Sequence, residues 1–270
     1  MMFFAMEAEK KSLFGSDSVI WRVNRENILL LGGPAAAILQ NAHPQVALGV
    51  AGHSNFREDT LGRLRRTLDA VYTVTFAPLS EVEAMAAQVR AIHARVRGEH
   101  PQRYSAFSPD AQFWVLATLV MLSVQIYEEF IATLTLEEKD QFFREMKVFG
   151  KYFGLPESYG AQTWGEFLSY WDAMVQGDEL AALPISRELA RHIAYPEKPI
   201  WLRPGWVISG HATREYMPSP LREKLGFTAN TDASRKLFRT GVKSLLPLLP
   251  PVVRYVPRYR QSMKEGIGKD

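Results

Sequence analysis

The stretch SPDAQFWVLATLVMLSVQIYEEFIAT, residues 108–133, decides the fold class. Ser108 followed by Pro109 is a helix-start signal, because a proline at the first helical position gives up an N–H that would have no partner anyway. The residues after it predict a helix over about 110–133 that is apolar nearly all round. Such a helix has no face to offer water and belongs at the centre of the molecule. Other elements must therefore surround it, and the rest of the chain supplies helices. Residues 81–97 predict one, with Ser80 and Glu83 as a capping box and Gly98 as the stop. Its Val82, Met85, Ala86, Val89, Ile92 and Val96 recur at helical spacing. Thr135 with Glu138 opens a helix that runs toward Gly154, and Thr163 with Glu166 opens another that ends near Gly177. Pro34 and Pro44 read as first-turn prolines of two short helices, and Thr60 as the cap of a helix over 61–75.

Only VYTVTF (71–76) and WVIS (206–209) look β-like, and the first reads better as the end of a helix whose Leu61, Leu64, Leu68 and Val71 keep helical spacing. No internal repeat, low-complexity tract or linker precedes the proline-rich segment 196–220. The expectation is an all-α single domain with an irregular, basic C-terminal extension, residues 216–270, packing on it.

Composition narrows the function classes. The chain has 270 residues, 47% of them hydrophobic, and no cysteine. A chain of this length buries enough surface to need no covalent staple. Without sulfur ligands or nucleophiles, disulfide scaffolds, thiolate zinc sites, iron–sulfur clusters and cysteine catalysis are excluded. The opening MMFFAMEAEKK is too short in apolar residues for a signal-peptide core, and FWVLATLVMLSVQI (113–126) is shorter than the ~20 residues that span a bilayer. A cytoplasmic location is expected. The formal charge of +3 is unevenly placed: eight basic residues and no acid lie between Arg235 and Lys264, so the remainder is net negative. The expectation is a last helix with a solvated basic face, in at most weak contact with anionic membrane surfaces; no nucleic-acid-binding pattern is present.

Six histidines are present, at 43, 53, 93, 100, 192 and 211, and none follows a glutamate at the spacing di-iron bundles use. Zincin, nucleophile-elbow, P-loop and dinucleotide motifs are absent as well. His93 stands apart because it lies on the apolar face of the 81–97 helix, where an imidazole must find a partner. One reading is a core histidine satisfied by a carbonyl or water; the other is a haem ligand at the wall of an apolar cavity. On the preceding helix, RLRRT (63–67) puts Arg63, Arg66 and Thr67 on one polar stripe. That stripe is either solvated and paired with acids such as Glu58 and Asp59, or it forms the lip of a pocket that binds carboxylates.

Taken in order, GVAGHSNFRED (49–59), RLRRT (63–67), HARVRG (93–98), YSAFSPDAQFWV (104–115) and YFGLPES (152–158) carry a resemblance. Over about residues 15–215 the chain resembles the catalytic domain of the rubber oxygenase or latex-clearing protein family, which also includes the MpaB oxygenase of mycophenolic acid biosynthesis. The resemblance implies a globin-like helical fold binding haem b, with His93 as the proximal iron ligand. It places Arg63 and Thr67 at essential polar positions near the haem, and it implies dioxygen chemistry on an isoprenoid-like or aromatic small apolar substrate. Two positions depart from the pattern. Arg66 stands where rubber oxygenases can carry an iron-binding lysine, and a guanidinium that stays protonated does not coordinate iron readily. Leu116 stands where many relatives have histidine, which changes one pocket wall. Neither a secretion signal nor a membrane anchor is read in the opening residues, so solid rubber and membrane-held substrates are not expected.

The leading expectation is a haem b oxygenase or oxidase in which His93 holds iron, Arg63 with Arg66 anchors propionate, and Thr67 orients a distal water or oxygen. A haem-binding or sensing module without turnover is the alternative, and a helical interaction protein with a satisfied core His93 is a third. Glu58, Asp59 and His53 are candidates for a catalytic base.

Overall fold

The computed structural model describes residues 11–54, 60–195 and 203–268. Among them the chain forms fourteen α-helices and one minimal β-hairpin, as the all-α reading requires. In chain order the helices are α1 (Val19–Asn24), α2 (Gly33–Gln40), α3 (Pro44–His53), α4 (Thr60–Phe76) and α5 (Leu79–His93). The hairpin pairs β1 (Arg97–Gly98) with β2 (Tyr104–Ser105). Then come α6 (Pro109–Phe130), α7 (Leu136–Tyr152), α8 (Trp164–Gln176), α9 (Pro184–Ala194) and α10 (Arg203–Tyr216). The chain ends with α11 (Ser219–Lys224), α12 (Asp232–Leu245), α13 (Pro251–Arg254) and α14 (Pro257–Glu265).

Helix α6 sits at the centre. Its 22 residues are apolar and long enough to cross a bilayer by length and composition, yet 61% of its most apolar window is buried inside the protein. The 3-10 turn Asn27–Gly32, α2 and α7 pack along it. Trp114, fully buried, stacks on Trp171 of α8 and donates its indole N–H to the Leu39 carbonyl at 2.8 Å. That bond resolves the one polar atom the ring carries into the core. The helix ends at Phe130, three residues short of the sequence reading, and the Ser108 side chain makes no capping bond.

Helix starts were legible where a side chain caps them. Thr135 and Glu138 form the full capping box of α7, and Thr163 accepts from the Glu166 N–H at the start of α8. Pro34 and Pro44 occupy the first turns of α2 and α3. Helix α5 departs from expectation. It begins at Leu79, directly after Pro78, so Ser80 and Glu83 lie inside it and make no cap. It ends at His93 instead of 97, because Arg97 and Gly98 are drawn out to pair with Ser105 and Tyr104. Ile92 is 63% exposed, so the buried face runs through Val82 and Ala86, with Met85 and Val89 half-buried. The VYTVTF run closes α4 as a helix, and WVIS lies inside α10. No strand is available to pair with it among the described residues, and tertiary context overrides β-propensity.

The C-terminal extension is largely helical and is fastened to the body by charges turned inward. Arg239 pairs with Glu129 at 2.7 Å and Glu215 at 2.9 Å, Arg235 with Glu215 at 3.1 Å, and Arg258 with Glu81 at 2.5 Å. Arg254 meets Glu26, whose side chain is fully buried, at 2.9 Å, and the Val256 N–H donates to the Arg25 carbonyl. Ser262 donates to the Phe76 carbonyl at 2.7 Å, tying α14 to the end of α4. The basic face is thus only in part solvated.

Breaking a fully buried ion pair costs roughly 3–5 kcal/mol because the remaining charge is left without compensation. The Arg254 side chain is 30% exposed, which lowers the figure to about 2–3 kcal/mol. Arg254→Met is therefore expected to destabilise the protein by that amount in urea titration. Adding Glu26→Gln should restore part of it, since the buried carboxylate, then left with Arg25 alone at 3.4 Å, is gone. Equal stability of Arg254→Met and wild type would show that the pair holds nothing.

Candidate functional site

Helices α4 and α5 form an antiparallel pair joined at Ala77 and Pro78. Arg63 lies 13 residues before Phe76 and His93 lies 14 residues after Leu79. At about 1.5 Å per residue, both stand roughly 20 Å from the turn, at the open end of the pair. The outer half of α4 is exposed. Arg66, Thr67 and Leu64 face solvent there and Leu68 is half-buried, so the part of the predicted apolar face formed by Leu64 is not covered; the side chain of Leu61 lies outside the described residues. The side chain of Arg63 lies outside the described residues, as do Glu58 and Asp59.

His93 is the last residue of α5 and is half-buried. Its Nδ1 is buried and has no hydrogen-bond partner among the described residues. Burial lowers the imidazole pKa below its usual 6.5, which favours the neutral ring. The edge of Phe107 packs against it, with centroids 6.1 Å apart at 75°. Among the described residues no carbonyl or side chain satisfies this atom as it would in a core histidine.

Four of the five motif stretches converge around His93 by close packing on small residues. The His93 carbonyl accepts from the Val96 N–H at 2.9 Å, and a Cβ added to Gly49 of α3 would lie 3.1 Å from Val96. The Tyr104 ring lies flat over Gly98, so close that a Cβ there would come within 2.7 Å of it. Phe107, in turn, is backed by Gly154, where a Cβ would come within 3.1 Å and where φ is +103°, a conformation that favours glycine. The glycines of GVAGH, HARVRG and YFGLPES thus admit the side chains of YSAF and Val96 that surround the imidazole. Two hydrogen bonds fix the arrangement from outside: Arg90 donates to the Tyr152 carbonyl at 2.8 Å and Gln112 to the Phe153 carbonyl at 3.0 Å. They fasten α5 and α6 to the end of α7.

His53, exposed at the end of α3, is 3.2 Å from the Tyr104 hydroxyl through Nε2 and makes an edge contact with that ring. It belongs to the rim of this cluster. Leu116 is buried and faces Gly150, where a Cβ would lie 3.4 Å from it. Phe107 and Tyr104 were not singled out from the sequence as side chains of the site. The signal was their place in a quoted stretch, but periodicity could not reveal it, because both lie in or beside a hairpin only two residues wide.

Among the described residues no cluster of three or more histidine, aspartate or glutamate side chains converges on an ion. A cleft of about 550 Å³ lies elsewhere, between α9, α10 and residues 225–228, and includes Arg191, His192, Tyr195 and Arg214. No residue of the five motif stretches lines it, so the convergence around His93 and not this cleft is the candidate site.

No curated protein and no solved structure matches the chain. The family model described as "ER-bound oxygenase mpaB/B'/Rubber oxygenase, catalytic domain" matches residues 21–245, a span that takes in the α4–α5 pair, the hairpin and the central helix. With that much of its length matched, the chain belongs to the mpaB and rubber oxygenase catalytic-domain family, a family of oxygenases.

Proposed function

We propose that the protein is a haem b-dependent oxygenase or oxidase that acts with dioxygen on a small apolar metabolite, isoprenoid-like or aromatic. The observation that carries this reading is the buried, unpartnered Nδ1 of a neutral His93 at the open end of the α4–α5 pair. A buried polar atom without a partner costs roughly 1–3 kcal/mol and needs a reason. Metal ligation requires a neutral imidazole, and the surroundings hold it neutral. The donor set is also informative. One histidine without a converging carboxylate cluster is too little for a bare ion, but it suits iron that arrives with four porphyrin nitrogens. The residues therefore fit the group.

In this reading His93 holds the iron and Phe107 fixes the plane of its ring. Arg63, with Arg66 one helical turn further on, anchors propionate through charge-assisted bonds, for which the planar guanidinium fork is suited. Arg66 serves as a cation, not as a second ligand, because a guanidinium has donors and no acceptor. Thr67 offers a hydroxyl that donates or accepts one hydrogen bond, enough to orient a small oxygen species. Haem, when bound, supplies the iron centre at which dioxygen reacts. The apolar side chains around the imidazole keep water from that side of the site and favour an apolar substrate.

Protein produced with ample haem is expected to be coloured, with a Soret band that His93→Ala largely removes and His192→Ala leaves intact. His192 lines the separate cleft, which makes it a matched control. A wild type that stays colourless after reconstitution with excess haem overturns the haem reading, while thermal melting of His93→Ala checks that it folds.

Arg63 and Thr67 should fail differently. Arg63→Ala removes a charge-assisted bond of roughly 1.5–3 kcal/mol and should weaken haem retention by about tenfold or more. Thr67→Val keeps the shape and removes the hydroxyl, so haem content should stay near normal while oxygen uptake with substrate slows. If haem occupancy and oxygen uptake of both variants match wild type, the polar stripe on α4 has no part in the site.

A further inference from the structure

Helix α12 is amphipathic, but it presents its faces in the opposite sense to an ordinary surface helix. Arg235 and Arg239 point at Glu215 and Glu129 of the body, and Phe238 between them packs against Phe130 and His211. No residue of the helix is buried. Leu237 therefore faces solvent, and Leu245 follows it outward two turns later. Beyond the helix the chain continues as Pro247, Leu248, Leu249, Pro250, Pro251, Val252 and Val253, seven consecutive exposed residues without a charge. The six leucines and valines of this face, Leu237 included, are between 38% and 76% exposed.

The strip is held in place. Leu246 is buried at one end, and at the other Arg254 is paired with Glu26 and Val256 is fully buried. An apolar ridge anchored on both sides is presented to the outside, and large exposed apolar patches mark interaction surfaces. Beside it runs a shallow groove of about 330 Å³ lined by Asp232, Arg235, Lys236, Arg239, Thr240 and Lys243. Lys236 and Lys243 make no ion pair among the described residues, and Asp232 is the one acid in the groove.

We infer that residues 236–253 form a docking surface for an anionic lipid bilayer, with the leucines and valines inserted at the interface and Lys236 and Lys243 on lipid phosphates. Apolar side chains beside unpaired lysines are what an interfacial element requires: burial of apolar area supplies the attachment and the cations supply the preference for anionic headgroups. A second copy of this chain is the poorer occupant, since pairing the strip with itself brings two sets of unpaired lysines together with few acids to offset them. This surface differs from the weakly attracted basic face expected from sequence. Most of the arginines are used inward, so attachment is expected to be chiefly apolar and to survive salt in part. The inference is independent of the haem reading.

The test is flotation of the full chain with phosphatidylcholine vesicles, with and without phosphatidylserine. Wild type is expected to float with the anionic vesicles and to keep part of that binding at high salt. Leu248→Asp with Val252→Asp should lower the partition coefficient by at least about tenfold, and Leu237→Asp, on the neighbouring helix, should lower it independently. Lys236→Glu with Lys243→Glu should abolish the preference for phosphatidylserine. All these positions are exposed, so melting curves should not change; if the double aspartate variant melts early, Leu237→Asp carries the decision. Failure of wild type to float, or flotation of the aspartate variants at the wild-type level, overturns the inference. So does full competition by inorganic phosphate, which would mean a site for free phosphate. A lipid-free dimer that Leu248→Asp with Val252→Asp dissolves would assign the face to a second copy instead.

Discussion

A helix with no polar face must be covered on every side, and α6 imposes that requirement on the whole chain. Its twelve buried residues run from Ala111 to Tyr127, and each apolar side chain taken fully from water contributes about 1.5–3 kcal/mol. Covering it takes the 3-10 turn at residues 27–32, α2 and α7. Helix α1 and Trp171 of α8 also lie against it, and other helices pack outside this layer or at its ends. The candidate site lies at one such end, where the chain enters α6 through Tyr104, Phe107 and Pro109. The position of His93 therefore follows from how the central helix is begun.

At that entrance the structure relies on small residues facing large ones. Tyr104 over Gly98, Val96 against Gly49 and Phe107 against Gly154 leave no room for added methyl groups. Interiors packed to crystal-like density transmit small displacements, so the imidazole is positioned by three separate segments that the glycines allow to approach. The resulting ring is desolvated, its pKa is lowered, and its buried Nδ1 has no partner among the described residues. An unsatisfied group of this kind is uncommon in a native core.

Charge is arranged by the same logic at the other end of the sequence. Glu26, Glu129 and Glu215 are low in exposure and need cations, and the tail delivers Arg254, Arg239 and Arg235 to them. Guanidinium groups suit that task because a planar fork can serve two carboxylates at once, as Arg239 does. The inward turn of the arginines is what leaves the leucines of α12 and the residues after it outside. The family match ends at Leu245, two residues before the uncharged exposed run 247–253.

The sequence by itself determined the helical class, the capped starts of α7 and α8, the central burial of α6 and the segments that make the site. These are set by local chemistry: a threonine hydroxyl that accepts an N–H, a proline that lacks one, a period of 3.6 in apolar residues. Tertiary structure alone decided the end of α5 at His93, because the backbone of Arg97 and Gly98 had to choose between helix and pairing with Ser105 and Tyr104 of β2. It alone decided that WVIS is helical, since a β-prone run without a strand beside it has no ladder to join. The direction of the basic tail was also beyond periodicity. An amphipathic pattern states that two faces differ, but the positions of Glu26, Glu129 and Glu215 in three distant segments determine which face turns inward.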